Sequence, residues 1–190
     1  MLKHLFLFVL GFFVTTEAAV CASPVTDCHR LEMAVEYFQS GKYHEALLLF
    51  RKLDDSYTLN KRMRAFMGVC YFYEKEYGQA AALLDSLVGS LDMLAPKERL
   101  VYYKCCAESH YCLKQYEKAI ELYKQCMAIC DSKELGYIYN RLAFCWFHLN
   151  DIPQMQDCLS SAAAIYRAAN DTMSLAQIDH DVAELFKKRK

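Results

Sequence analysis

The stretch GKYHEALLLFRKL, residues 41–53, is written again as KEYGQAAALLDSL at 75–87 and as KQYEKAIELYKQC at 114–126. In each copy a tyrosine is followed by an alanine three residues later and a large residue seven residues later: Tyr43, Ala46, Phe50; Tyr77, Ala80, Leu84; Tyr116, Ala119, Tyr123. Steps of three and four keep side chains on one face of a helix. Upstream of each tyrosine runs a second such stripe, Met33, Ala34, Tyr37, then Met67, Gly68, Tyr71, then Cys106, Ala107, His110. A fourth copy holds Leu142, Ala143 and Trp146, leading to Ile152, Met155 and Leu159.

The first two copies are spaced by 34 residues, the third is displaced by five more around LDMLAPKERL (91–100), and the fourth by two more. Two helical stripes per copy, parted by short polar turns at SGK (40–42), KE (75–76), KQ (114–115) and ND (150–151), predict helix hairpins. A fixed period of this length marks stacked supersecondary units, each burying its neighbour's apolar face. The units are read as 27–60, 61–94, 100–133 and 136–169. Ala34, Gly68, Ala107 and Ala143 on the first helices, with Ala46, Ala80 and Ala119 on the second, are the small residues that let paired backbones approach.

At these residues the chain resembles the tetratricopeptide repeat family, over about residues 27–169. The resemblance implies an all-α, right-handed α-solenoid of four hairpins. Residues 170–190 are expected to cap it, with Leu175, Ile178, Val182, Leu185 and Phe186 as the apolar stripe, Asp171 as N-cap and a basic KKRK end. In that family the first helices line a concave groove that takes peptides or partner helices. Carried onto this sequence, the groove residues are Phe38, Phe66, Val69, Phe72, Tyr73, Lys104, Tyr111, Asn140, Arg141, Phe144, Phe147 and His148. Phe38, Phe72, Tyr111 and Phe147 share one repeat position, which serves either hairpin packing or an aromatic ladder for a partner. Leu31 and Val35 stand where a carboxylate-clamp adaptor needs Lys and Asn, which argues against that subtype.

The implied function is a non-catalytic protein-interaction scaffold in an exported bacterial protein. Two other readings stay open: an accessory or sensor subunit of a membrane signalling system, and a Cys/His zinc or redox module.

Composition narrows the partners. Twenty-two basic residues against 23 acidic ones leave no electrostatic footprint for nucleic acid. No Gly-rich phosphate loop, nucleophile elbow, HExxH or CxxCH occurs, so neither an enzyme nor a cofactor is expected. Residues 1–22 read as a secretory signal, with Lys3 as the positive start, Leu5–Val14 as the apolar run and Val20-Cys21-Ala22 before cleavage, and 23–26 as a short linker. The expected address is periplasmic or secreted, with membrane association only through a partner or through lipidation at Cys21, which Val20 disfavours.

Nine cysteines follow that segment, an odd number, mostly at helical core positions where they act as small apolar filling. Although no metal site is the main expectation, Cys106 with His110 and Cys126 with Cys130, each pair four apart, form the candidate set for zinc.

Overall fold

The structure is a computed structural model that describes residues 24–55 and 59–188. The signal segment 1–22 lies outside the described residues. The chain forms α1 (Pro24–Gln39), α2 (Tyr43–Asp54), α3 (Lys61–Tyr73), α4 (Tyr77–Val88), α5 (Pro96–Cys112), α6 (Tyr116–Met127), α7 (Ser132–His148), α8 (Ile152–Ala168) and α9 (Thr172–Lys188), with no strand among the described residues. Helix begins at Pro24, inside the expected linker, because proline lacks only an N–H that a first helical turn leaves unbonded anyway. Each helix packs on its chain neighbours, and α3 also touches α5, so the structure is an all-α solenoid built from nearest-neighbour layers.

One turn joins the helices of every hairpin and the last hairpin to α9. Its central residue takes the left-handed conformation: Gly41 (φ 74°), Lys75 (64°), Lys114 (61°), Asn150 (62°) and Asn170 (53°). The next residue's N–H reaches back to a carbonyl five residues earlier, Lys42 to Tyr37, Glu76 to Tyr71, Gln115 to His110, Asp151 to Trp146 and Asp171 to Tyr166, all at 2.9 Å. This is the Schellman closure, which satisfies carbonyls that a helix end would otherwise leave bare. The polar dipeptides of the sequence are therefore the turns themselves.

Asparagine and aspartate side chains cap several of the helices. Asn60 accepts from the Met63 N–H at 3.0 Å, Asp131 from Glu134 at 3.0 Å and Asp171 from Ser174 at 3.0 Å.

The repeated small residues are the core. Ala34, Ala46, Ala80, Ala107, Ala119 and Ala143 are wholly buried, as are Phe50, Leu84 and Tyr123. Glycine is required at Gly68, where a Cβ would lie 2.7 Å from both Cγ and Cδ2 of Leu84. Gly136 is a second such point, 2.7 Å from the Tyr166 ring, and the repeat pattern does not reveal it. The insertion after α4 is also tied down: Leu91 is buried and Arg99 pairs with Asp92 at 3.0 Å.

Helix α9 lays Ile178 against Ala162 and Tyr166 of α8, with Leu175 and Val182 beside them. It thus covers the apolar face that the fourth hairpin would otherwise expose. No helix among the described residues is long and apolar enough to cross a membrane.

Candidate functional site

A groove of about 920 Å³ opens along the first helices of the middle repeats. Phe72 and Tyr73 of α3, Leu100, Val101 and Lys104 of α5 and Tyr137 of α7 form much of its wall. Tyr73 is 49% exposed and Val101 44%, so apolar surface faces solvent here. Across it Lys104 Nζ donates to Glu134 Oε2 at 2.7 Å and lies 4.8 Å from the Tyr137 ring centre.

Beneath the groove a polar cluster ties three helices. Glu108 Oε1 accepts from Tyr123 Oη at 2.7 Å, Tyr137 Oη at 2.6 Å and Arg141 Nε at 2.7 Å, while Glu108 Oε2 takes the other arm of the guanidinium. The Arg141 guanidinium also lies 4.1 Å from the centre of the Tyr111 ring. Glu108 and Arg141 side chains are largely buried, and a buried ion pair is tolerable only when its remaining donors and acceptors are met, as they are here. Burial, then the Glu108 charge, pushes the Tyr137 phenol well above its ordinary range. Both phenols remain donors at neutral pH, which fixes the floor of the groove as an ordered surface.

Of the residues expected from sequence, Phe72, Tyr73 and Lys104 line this groove. The others have different surroundings. Val69 is 1% exposed and belongs to the core. Phe66 is stacked on Phe38 at 4.2 Å, and Phe144 is buried. Phe147 is 7% exposed, with Phe186 of α9 edge-on to its ring at 5.3 Å, so the capping helix packs on this ring. His148 stacks on Tyr116 at 4.6 Å, the counterpart of the Tyr43–Tyr73 stack at 4.0 Å two junctions earlier. Burial, then the nearby Lys114 charge, lowers the His148 pKa and favours the neutral ring.

The shared aromatic position packs within its own hairpin, Phe38 on Tyr43 at 5.9 Å, Phe72 near Tyr77 at 6.0 Å and Tyr111 on Tyr116 at 5.6 Å. Asn140 carries a buried Oδ1 with no hydrogen-bond partner among the described residues. Sequence reasoning missed Leu100, Val101 and Glu134 as groove residues. Leu100 and Val101 could have been found by counting back one helical turn from Lys104, but Glu134 lies at a hairpin edge where the repeat pattern carries no information.

The nine cysteines of the described residues are unpaired with one another. Burial pushes the thiols of Cys70, Cys105, Cys126 and Cys145 up to about 12, which suppresses thiolate and makes them unreactive core filling. The candidate zinc set does not assemble as a foursome. Cys106 and His110 turn toward Asp85 of α4, and the side-chain ligand atoms of these three lie within 4.8 Å of one another. Cys126 and Cys130 do not enter that group, and Cys130 Sγ instead donates to the Met127 carbonyl at 3.7 Å.

No family model matches the sequence, and no curated protein matches it. Solved structures do. MamA superposes with a TM-score of 0.64 at 16% identity over 77% of this chain and 83% of its own. BtubC (BKLC) from P. vanneervenii gives 0.60 at 12% identity over 77% and 65%. The TPR-like repeats of a Podosopora anserina kinesin light chain give 0.52 at 17% identity over 86% and 96%. Likeness at such identities fixes architecture and nothing finer: the chain folds as a tetratricopeptide-like α-solenoid.

Proposed function

We propose that the protein is a non-catalytic interaction scaffold, binding a peptide or a partner helix in the groove between α3, α5 and α7. The observation that carries this reading is the groove itself, about 920 Å³ with exposed Tyr73 and Val101 beside the Lys104–Glu134 pair. Apolar surface supplies the energy of association, and the adjacent charges orient a polar backbone or side chain. Partial exposure of an aromatic in a concave site is the usual setting of an anchoring contact. Export to a periplasmic or extracellular space, from the signal-like residues 1–22, belongs to the same reading.

Crosslinking capture in the native host tests it, comparing wild type with a Tyr73→Ala, Val101→Ser double variant. Leu48→Ser, an exposed site on the second helix of its hairpin, is the control. A specific partner lost from the groove variant and kept by the control supports the groove. Equal capture by all three forms, or no partner at all, overturns it.

A further inference from the structure

The junctions between successive hairpins use one set of equivalent positions. At the first, the positions are Arg51 of α2 with Met67 and Tyr71 of α3; at the third, Lys124 of α6 with Leu142 and Trp146 of α7. In both a cation rests on an aromatic face, Arg51 at 5.0 Å from the Tyr71 ring centre and Lys124 at 5.9 Å from that of Trp146. At the second junction the same three positions hold Asp85, Cys106 and His110. Cation, apolar residue and aromatic have become carboxylate, thiol and imidazole together, the side chains that ligate transition metals.

Geometry matches the change. Cys106 Sγ lies 3.2 Å and His110 Nε2 2.9 Å from Asp85 Oδ1. In a tetrahedral zinc site the ligand atoms lie roughly 3.3–3.6 Å apart, given Zn–S near 2.3 Å and Zn–N and Zn–O near 2.0–2.2 Å. A small outward shift of the Asp85 carboxylate, the shared partner in both contacts, therefore makes room for the ion. Cys106 and His110 are buried one turn apart on α5, so their positions are fixed, while Asp85 is the adjustable third arm on the surface of α4.

The remaining ring nitrogen is already oriented. His110 Nδ1 lies 2.6 Å from Gln115 Oε1, which accepts in the tautomer that carries the proton on Nδ1 and leaves Nε2 free to ligate. Metal-bound histidines usually hold their second nitrogen in this way. Nε2 faces Asp85 Oδ1 on the other side of the ring, the direction from which a metal ion would be bound.

We propose that Asp85, Cys106 and His110 form a zinc site that clamps the second hairpin to the third. On binding, the Cys106 thiol proton and any proton on His110 Nε2 leave to solvent, and Sγ and Nε2 each form a bond to zinc. The fourth position is taken by water from the adjoining cleft of about 280 Å³, which is bounded by Val88, Lys118, Glu121 and Gln125. The site is independent of the groove and does not rest on the scaffold reading.

The test uses the full chain, purified reduced and stripped of metal, then titrated with zinc chloride against a chromophoric chelator and with cobalt chloride for its thiolate charge-transfer absorption. One zinc per chain is expected, with a cobalt–thiolate band. Cys106→Ala should abolish the band, and Asp85→Asn, a surface change that leaves the core intact, should weaken zinc at least about tenfold. Cys126→Ala and Cys130→Ala should keep both. Circular dichroism checks each fold, and Asp85→Asn decides the matter if Cys106→Ala fails to fold. Absence of stoichiometric zinc from the wild type overturns the proposal. So does undiminished binding by Asp85→Asn, or a loss confined to the Cys126 and Cys130 variants.

Discussion

Gly68→Ala is the sharpest probe of how the hairpins close. A helix-interior alanine is worth about 1 kcal/mol more than glycine, so propensity alone predicts a gain. Against this, the new Cβ would sit 2.7 Å from Leu84 Cγ and Cδ2, when ordinary carbon contacts lie near 3.5–4.0 Å. Leu84 is wholly buried, and Cγ is one bond from the backbone-anchored Cβ, so it cannot swing clear as a side-chain tip could. Helices α3 and α4 must part instead, an overpacking cost of about 1–3 kcal/mol. Overpacking wins, for a net loss of about 1 kcal/mol or a little more and a fall of roughly 2–4 °C in melting temperature per kcal/mol at this chain length.

Urea unfolding followed by circular dichroism measures it, with two companions. Gly78→Ala, where a Cβ meets nothing within 4 Å, should be neutral or stabilising. Leu84→Ala alone should cost about 2–5 kcal/mol, and adding Gly68→Ala to it should cost little more, because the clash partner has gone. If Gly68→Ala raises the midpoint as Gly78→Ala does, the close approach of α3 and α4 is not as described and the reasoning fails.

Relief of backbone strain works in the opposite direction: Lys75→Gly, at φ 64°, should stabilise by about 0.5–1 kcal/mol, the left-handed penalty less the extra freedom of glycine in the unfolded chain, read as a higher urea midpoint. In the polar cluster, Glu108→Ala leaves the Arg141 charge buried without its carboxylate and should cost about 3–5 kcal/mol. A Glu108→Gln, Arg141→Met double variant, which removes both charges but keeps an acceptor for Tyr123 and Tyr137, should recover part of that loss in the same assay, and a double variant no better than Glu108→Ala would show the pair to be net stabilising. For the thiols, Cys70, Cys105, Cys126 and Cys145 stand at about 12 in the folded state against 9.0 as the ordinary value. The folded chain therefore holds protons that the unfolded chain releases, so stability is fully present below pH 9 and falls as pH rises through the interval up to 12. Titration with a thiol reagent at pH 8 should find exposed Cys28 and Cys112 reacting first and the four buried thiols only after unfolding; rapid reaction of all nine in the folded protein would contradict the burial.

Period and turn chemistry were written in the chain. Repetition of Tyr43, Ala46 and Phe50 at Tyr77 and Tyr116 places each second helix, and polar pairs such as Lys75-Glu76 and Asn150-Asp151 mark the left-handed turns, because local dihedral preference and helical spacing are properties of neighbours in sequence. Burial of Ala34, Gly68, Ala107 and Ala143 follows from the same spacing, since each stripe has only one face to hide. The capping helix was legible too, in Asp171 and in the stripe through Ile178. Equivalence of position says which face of the solenoid a residue belongs to, but not how deep it lies: Val69 and Phe147, both read as groove residues, are covered by side chains that come from elsewhere in the chain.

Only tertiary structure decided which charges meet. Glu108 finds Arg141 across 33 residues, and Asp85 finds His110 across 25. Those distances depend on how far one hairpin is rotated and shifted against the next, a quantity set by the sum of side-chain volumes at each junction rather than by any single residue. Neighbours along the chain suffice to specify a stack of helix hairpins and the small residues that close each one. The open groove at Tyr73 and Val101, the phenol-lined carboxylate beneath it, and the thiol, imidazole and carboxylate gathered at one junction came from the way the hairpins settle on one another.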